Sequence, residues 1–122
     1  MRLIVSVLFL FGMTVTASSM SLSFDWGPTK KCFDSKSPPM SLSGVPEGTV
    51  KLRFKMVDLN AMNYNHGGGT VAYAGKSKLP YGAFRYKGPC PPAPHMYQFK
   101  VDALDKNGKK LATAKARKSF TK

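Results

Sequence analysis

Residues 88–105 read GPCPPAPHMYQFKVDALD, and this is the most informative stretch of the chain. Its first ten residues contain four prolines, which predict a stiff loop with few backbone donors. The alternation of residues 96–104 then predicts a strand that has Tyr97 and Phe99 on its apolar face. His95 stands two residues before Tyr97, so both side chains face the same way. The loop is therefore either the mouth of a binding site or a surface spacer before an edge strand.

Alternating apolar residues predict further strands on both sides of this stretch. They lie at residues 21–26, 40–42, 50–57, 70–74, 83–87 and 109–120. Asn107 and Gly108 predict a hairpin turn before the last of them. Residues 111–116 are rich in alanine, so a helix is the alternative there, but the turn and the alternation favour a strand. Six to eight short strands with a turn roughly every ten residues predict an all-β, mainly antiparallel, small β-sandwich.

Residues 50–57 show the clearest period in the chain. The apolar face consists of Val50, Leu52, Phe54 and Met56, and the opposite face carries Lys51, Arg53 and Lys55. This basic ladder is either an anion-binding surface or a solvated outer face that discourages edge pairing. The period alone favours the solvated face.

The first residues predict a secreted protein. Residues 1–17 have a basic start, an apolar run and small residues before the cut, so we expect a signal peptide cleaved after Ala17. An uncleaved anchor or a lipoprotein is the alternative, although no cysteine lies near the cut. Residues 18–122 then form a single domain of 105 residues. The expected location is the periplasm or the extracellular space.

The remaining domain is strongly basic. Without Arg2 it carries 18 basic and 6 acidic residues, a formal net charge of +12. Such a domain is attracted to anionic groups, so we expect peripheral contact with an anionic envelope surface. Nucleic acid is disfavoured as a partner, because only residues 84–87 (FRYK) interleave aromatic and basic side chains.

Two cysteines, Cys32 and Cys90, can form one disulfide in an oxidising compartment or remain two separate buried thiols. A bridge would close a loop of about 58 residues and contribute on the order of 4 kcal/mol. We expect no metal site, since the two histidines and two cysteines lack a paired short spacing. We expect no cofactor and no enzymatic activity either, because Cys90 lies between prolines and no Gly-x-Ser-x-Gly elbow occurs.

The remaining polar residues predict one ligand site. Asp58 follows the basic strand, and His66 precedes three glycines that permit either a sharp turn or close backbone approach to a ligand. His95 and Tyr97 follow the proline-rich loop, and Asn60 completes the set. Histidine, tyrosine and asparagine donors suit a phosphate-like anion. Asp58 would orient a histidine and fix its tautomer.

Three blocks together resemble the phosphatidylethanolamine-binding protein family, in its bacterial Raf-kinase-inhibitor-like branch. Residues 37–49 (SPPMSLSGVPEGT) are similar to the family's Ser-Pro-x-Leu-x-Trp-x-Gly-x-Pro-x-Gly-Thr segment. Residues 56–62 (MVDLNAM) stand in the place of its Asp-Pro-Asp-Ala-Pro motif. Residues 88–105 are similar to its Gly-Pro-x-Pro-Pro-x-Gly-x-His-Arg-Tyr motif and the apolar strand that follows.

The resemblance implies a central antiparallel sheet packed on a smaller one, with a small anion pocket at one end. Carried over by position, Asp58 matches the first Asp of its motif, and His95 and Tyr97 match the His and Tyr of theirs. The implied function is non-enzymatic binding of an anionic small molecule such as a phospholipid headgroup. One alternative is a protein-interaction module with a degenerate pocket and a protease or envelope partner. Another is a surface protein held to the envelope by its lysines.

The chain departs from the family pattern around the second block. Leu59 and Met62 replace its two prolines, and Asn60 replaces its second Asp. The family's other pocket histidine aligns with Gly69, so either His66 substitutes from three positions earlier or the pocket has lost a ligand. The domain is also short, and we expect it to lack the C-terminal helix that many members carry.

Overall fold

The computed structural model describes residues 19–121, which form two antiparallel β-sheets packed on each other. The strands in chain order are β1 (Ser21–Phe24), β2 (Met40–Ser43), β3 (Lys51–Asp58), β4 (Gly68–Ala72), β5 (Lys78–Leu79), β6 (His95–Leu104) and β7 (Lys110–Phe120). The predicted signal peptide lies outside the described residues. Between residues 19 and 121, no helix has the length and apolar character that crossing a membrane requires.

The sheets differ in size, as the sequence blocks implied. The smaller sheet has the order β1-β2-β5, and the larger has the order β4-β3-β6-β7. Every pairing within them is antiparallel. The predicted all-β sandwich is therefore confirmed. The last described element is strand β7, so the helical alternative for residues 111–116 is wrong and the described chain has no C-terminal helix.

Several details of the predicted strands are wrong, since β4 covers Gly68–Ala72 instead of residues 70–74 and β5 (Lys78–Leu79) was not predicted. Val50 lies before the first residue of β3, next to a turn in which the Thr49 N–H donates to the Pro46 carbonyl. Its side chain is exposed and does not join the apolar face. Residues 83–87 form no strand and make a single bridge, between Lys36 and Arg85. The pairing does not extend past Ser37, because the Phe84 N–H donates to Ser37 Oγ and the Ser37 carbonyl accepts from the Gly82 N–H instead.

The core lies between the two sheets and is rich in aromatic rings. Phe24 of the smaller sheet meets Phe99 of the larger edge-on, with ring centroids 4.9 Å apart. Trp26 donates from Nε1 to the Ser119 carbonyl at 2.8 Å, and its ring lies 5.7 Å from that of Tyr97. Core side chains therefore pack against the Tyr97 ring, and only 1% of the surface of Tyr97 is exposed.

The pairing of β3 with β6 positions the predicted site. β3 ends at Asp58 and β6 begins at His95, so the antiparallel arrangement brings these two ends to the same edge of the sheet. The register places Asp58 directly opposite Tyr97. His95 lies two residues before Tyr97 and therefore shares its face.

Cys32 and Cys90 are joined in a disulfide with Cα atoms 4.7 Å apart, so the alternative of two separate thiols is wrong. The Phe33 N–H beside the bridge donates to the Pro89 carbonyl at 3.3 Å. Phe33 itself adopts a left-handed backbone conformation with φ of 55°. The bridge therefore ties the segment between β1 and β2 to the proline-rich loop before β6.

We predict that the double substitution Cys32→Ser and Cys90→Ser lowers the free energy of unfolding by about 4 kcal/mol, because the disulfide closes a long loop in the unfolded chain. Urea unfolding of the oxidised wild type and of the variant measures the difference. Reduced wild type is the control and should unfold like the variant. An unchanged urea midpoint in the variant would contradict this account of the bridge.

Candidate functional site

A cavity of about 120 Å³ opens at the edge where β3 ends and β6 begins. Four of the five residues predicted for the site line it: Asp58, His66, His95 and Tyr97. Asn60 does not line it. Its remaining walls are residues that were not predicted as ligands: Phe33, Ala61, Tyr64, Cys90, Pro91 and Pro92.

Asp58 holds His95 in place. Its Oδ2 accepts a hydrogen bond from His95 Nδ1 at 2.7 Å, and its Oδ1 accepts one from the Asn60 backbone N–H at 2.9 Å. Both carboxylate oxygens are thus engaged by the protein, and the side chain is buried. Asp58 consequently fixes the orientation of the imidazole, which is the role predicted for it.

The Asp58 carboxyl group is ionised at neutral pH. Burial by itself raises its pKa, but the hydrogen bond from His95 and the one from the Asn60 backbone outweigh burial and lower the pKa below 3.8. An ionised carboxylate can only accept hydrogen bonds. His95 Nδ1 therefore carries the proton in this contact, and Nε2 is the nitrogen left for a ligand.

Tyr97 supplies a protonated phenol between the two histidines. Its ring centroid lies 5.5 Å from that of His66 and 6.4 Å from that of His95. Burial, and then the neighbouring Asp58 carboxylate, raise the pKa of Tyr97 above its ordinary value of 10.0. The hydroxyl therefore stays protonated under physiological conditions, and its one hydrogen can be donated to the Asp58 carboxylate or to a ligand in the cavity.

His66 reaches the same cavity from the connection between β3 and β4. Its Nδ1 lies 2.6 Å from the Lys87 carbonyl oxygen, and its own carbonyl accepts from the Lys87 N–H at 2.9 Å. A carbonyl oxygen only accepts, so His66 Nδ1 is also the protonated nitrogen. The position of His66 agrees with the alternative in which it substitutes for the histidine that Gly69 replaces.

The glycines after His66 are needed for the backbone conformation and for close packing. Gly67 adopts a left-handed conformation with φ of 69° and makes the turn into β4. A Cβ atom at Gly69 would lie 2.7 Å from Cβ of Phe84, so glycine is required for packing there. None of the three glycines lines the cavity, so the sharp-turn alternative accounts for them better than approach to a ligand.

Asn60 acts on the backbone beside the cavity. Its Oδ1 accepts a hydrogen bond from the Met96 N–H at 2.7 Å, and the Leu59 N–H donates to the Met96 carbonyl at 2.8 Å. These bonds clamp the end of β3 to the start of β6. Asn60 therefore supports Asp58 and His95 from outside the cavity.

An aromatic pair and a lysine form part of the site that sequence reasoning missed. Phe33 and Tyr64 line the cavity and stack with ring centroids 6.3 Å apart. The Lys87 ammonium lies 5.0 Å from the Phe33 centroid and 4.8 Å from the Tyr64 centroid. Cation–π attraction therefore holds a positive charge against these two walls. The signal that could have revealed Phe33 is its position next to Cys32.

Solved structures of known proteins share this architecture. A phosphatidylethanolamine-binding protein homologue from Chlamydia trachomatis matches with a TM-score of 0.58 at 22% identity, over 87% of this chain and 99% of that chain. YbcL from E. coli, a member of the mammalian PEBP family, matches with a TM-score of 0.62 at 24% identity, over 83% of this chain and 97% of that chain. This chain has the phosphatidylethanolamine-binding protein fold. No family model matches the sequence, and no curated protein gives a significant match.

The resemblance read from the three sequence blocks is thus confirmed at the level of the fold. Within the phosphatidylethanolamine-binding protein fold, the first block is structural. Ser37 is fully buried, and its Oγ accepts a hydrogen bond from the Phe84 N–H at 3.0 Å. In the part of the chain that the structure describes, no cluster of three or more His, Cys, Asp and Glu side chains could hold a metal ion.

We predict that Asp58→Asn lowers stability near neutral pH and that this deficit shrinks in acid. The folded-state pKa of Asp58 is below 3.8, so its charge stabilises the fold above that pH. The stabilisation is lost as the pH falls through the lowered pKa. Urea unfolding at about pH 6 and about pH 2 measures the two deficits. The control is Asp25→Asn at an exposed aspartate, and a pH-independent deficit for Asp58→Asn would contradict the prediction.

Proposed function

We propose that this protein is a non-enzymatic, periplasmic or secreted binding protein for small anionic ligands that contain phosphate, such as phospholipid headgroups. The observation that carries the proposal is the convergence of four polar residues on one cavity, although they come from three separate segments of the chain. They are Asp58, His66, His95 and Tyr97.

The size of the cavity supports a headgroup-sized ligand. Its volume of about 120 Å³ is well below the roughly 300–1,000 Å³ of sites that bury drug-sized molecules. It offers space for a phosphate or a similarly small polar group, and the rest of a larger ligand would remain outside. Phe33 and Tyr64 at its wall would contact that remainder.

The available donors favour an anion. With Nδ1 of both histidines committed to protein acceptors, each ring presents Nε2, which donates a hydrogen bond once the ring is protonated. The Tyr97 hydroxyl donates as well, and the Lys87 ammonium adds a positive charge at the aromatic wall. Asp58 contributes one negative charge, but both of its carboxylate oxygens already accept hydrogen bonds from the protein.

The disulfide supports the proposed location. Cys90 of the cavity wall is bonded to Cys32, so its sulfur is not available as a thiolate nucleophile. A disulfide is typical of proteins in oxidising compartments, which agrees with the predicted signal peptide.

We predict that phosphoethanolamine binds the wild type in a one-to-one complex. His95→Ala and Tyr97→Phe should each weaken binding at least about tenfold, because each substitution removes a hydrogen-bond donor to a charged group. Isothermal titration calorimetry at constant pH and low salt measures the affinities.

Tyr86→Phe provides a matched control for Tyr97→Phe. The Tyr86 hydroxyl is buried, has no hydrogen-bond partner among the described residues and lies outside the cavity. Its removal should leave the affinity unchanged. The proposal fails if Tyr97→Phe and His95→Ala bind as tightly as Tyr86→Phe, or if the wild type shows no binding at millimolar ligand.

A further inference from the structure

The outer face of the larger sheet carries a second concentration of charge, away from the cavity walls. In β3 and in the first part of β6, buried residues alternate with outward-facing ones, and the register extends the outward side to β7. Seven basic residues lie on this side, and we call them the basic face: Lys51, Arg53, Lys55, Lys100, Lys110, Lys115 and Arg117. None of the outward positions of these strands holds an aromatic residue.

Strand register places three lysines of the basic face in one row. Lys55 of β3 is directly opposite Lys100 of β6, which is directly opposite Lys115 of β7. Like charges directly opposite each other on neighbouring strands destabilise a sheet. Repulsion within the row therefore destabilises the folded sheet, although its three lysines come from three separate strands.

The described part of this face offers little compensating negative charge. Asp102 is its one acidic residue, and its carboxylate already accepts hydrogen bonds from Arg53 at 2.9 Å and from Thr113 at 2.7 Å. A depression of about 380 Å³ is lined by Arg53 and Asp102 and by Lys55 and Lys100. Among the described residues Lys55 and Lys100 form no salt bridge, so the concavity has positive charge left for an external anion.

The basic face ends in exposed apolar side chains. Met96 lies two residues before Gln98 on β6 and so shares its outward side, and 40% of its surface is exposed. Met62 is 68% exposed and lines the same surface depression as Lys55 and Val57. Positive charge next to flexible, exposed apolar side chains is the combination found on surfaces that lie in a membrane interface.

We propose that the basic face, with Met62 and Met96 at its end, docks this protein on the surface of an anionic lipid bilayer. The lysine row would meet the charged headgroups, and the methionines would enter the boundary below them. A single-stranded nucleic acid fits less well, because the outward positions of β3, β6 and β7 hold no aromatic side chain on which bases could stack, and the Tyr64 ring beside Met62 already contacts the Lys87 ammonium. Residues 59–67 carry both Met62 and the cavity residue His66, so docking would bring the cavity close to the headgroups.

The test is sedimentation of the folded protein with vesicles. We expect binding to vesicles of phosphatidylglycerol and phosphatidylcholine in equal parts, and none to pure phosphatidylcholine. The triple substitution Lys55→Gln, Lys100→Gln and Lys115→Gln should weaken binding on the order of 100-fold. Its melting temperature should equal or exceed that of the wild type, because the repulsion within the row is removed.

A triple variant with the same net charge is the matched control. Lys30→Gln, Lys76→Gln and Lys106→Gln change three exposed lysines outside the basic face and should bind vesicles nearly as well as wild type. Met62→Gln with Met96→Gln should abolish the part of binding that survives moderate salt. The triple variant of the lysine row should bind phosphoethanolamine as tightly as wild type in calorimetry, because none of its three lysines lines the cavity, so failure of the cavity proposal and failure of this one are distinguishable.

Three outcomes would overturn docking by this face. The two triple variants could lose vesicle binding equally, which would show that binding depends on the net charge of the protein and not on the basic face. Pure phosphatidylcholine could bind as well as the anionic mixture. The protein could bind single-stranded DNA as tightly as vesicles, with no effect of the methionine substitutions, which would indicate a nucleic-acid surface.

Discussion

The antiparallel pairing of β3 with β6 holds both the cavity and the outer face of the larger sheet in place. It sets Asp58 opposite Tyr97 and allows His95 to donate to Asp58 at 2.7 Å. A slip of one residue would turn His95 and Tyr97 to the outer face and expose the apolar residues between the sheets. Burial of the core residues therefore fixes the register. Within the core, the Trp26 ring packs edge-on against the Tyr97 ring and holds it in position.

Much of this arrangement could be predicted because a strand has a period of two. The alternation in β3 and β6 identified their buried faces, and the Asn107 and Gly108 turn correctly joined β6 to β7. The sequence blocks added that the ends carrying Asp58, His95 and Tyr97 would meet. The sequence allowed His66 to be proposed as a substitute for the family's second pocket histidine. Its position at the cavity depends on hydrogen bonds to the backbone of Lys87, which the spacing of residues in the sequence does not reveal.

The features of the site that the sequence did not predict arise from contacts between residues far apart in the chain. The disulfide joins positions 58 residues apart and brings Phe33 to the cavity, whereas sequence spacing carries no information about the distance between two cysteines. The cation–π contacts of Lys87 depend on the same long-range packing. The row of lysines on the outer face likewise became visible only once the register of three strands was known. Local patterns thus predict faces, and tertiary contacts decide which faces meet.

The central claim is that Asp58 and the Lys87 carbonyl fix both imidazoles so that Nε2 of each ring is available to a ligand. Nitrogen-15 NMR of the two histidine rings in the ligand-free protein at mildly alkaline pH tests it most directly. We expect His66 and His95 both to carry the proton on Nδ1 at that pH, and both Nε2 signals to shift when phosphoethanolamine is added at mildly acidic pH, where a protonated Nε2 can donate to the phosphate. A proton on Nε2 of either neutral ring, or a response to ligand from one ring alone, would contradict it.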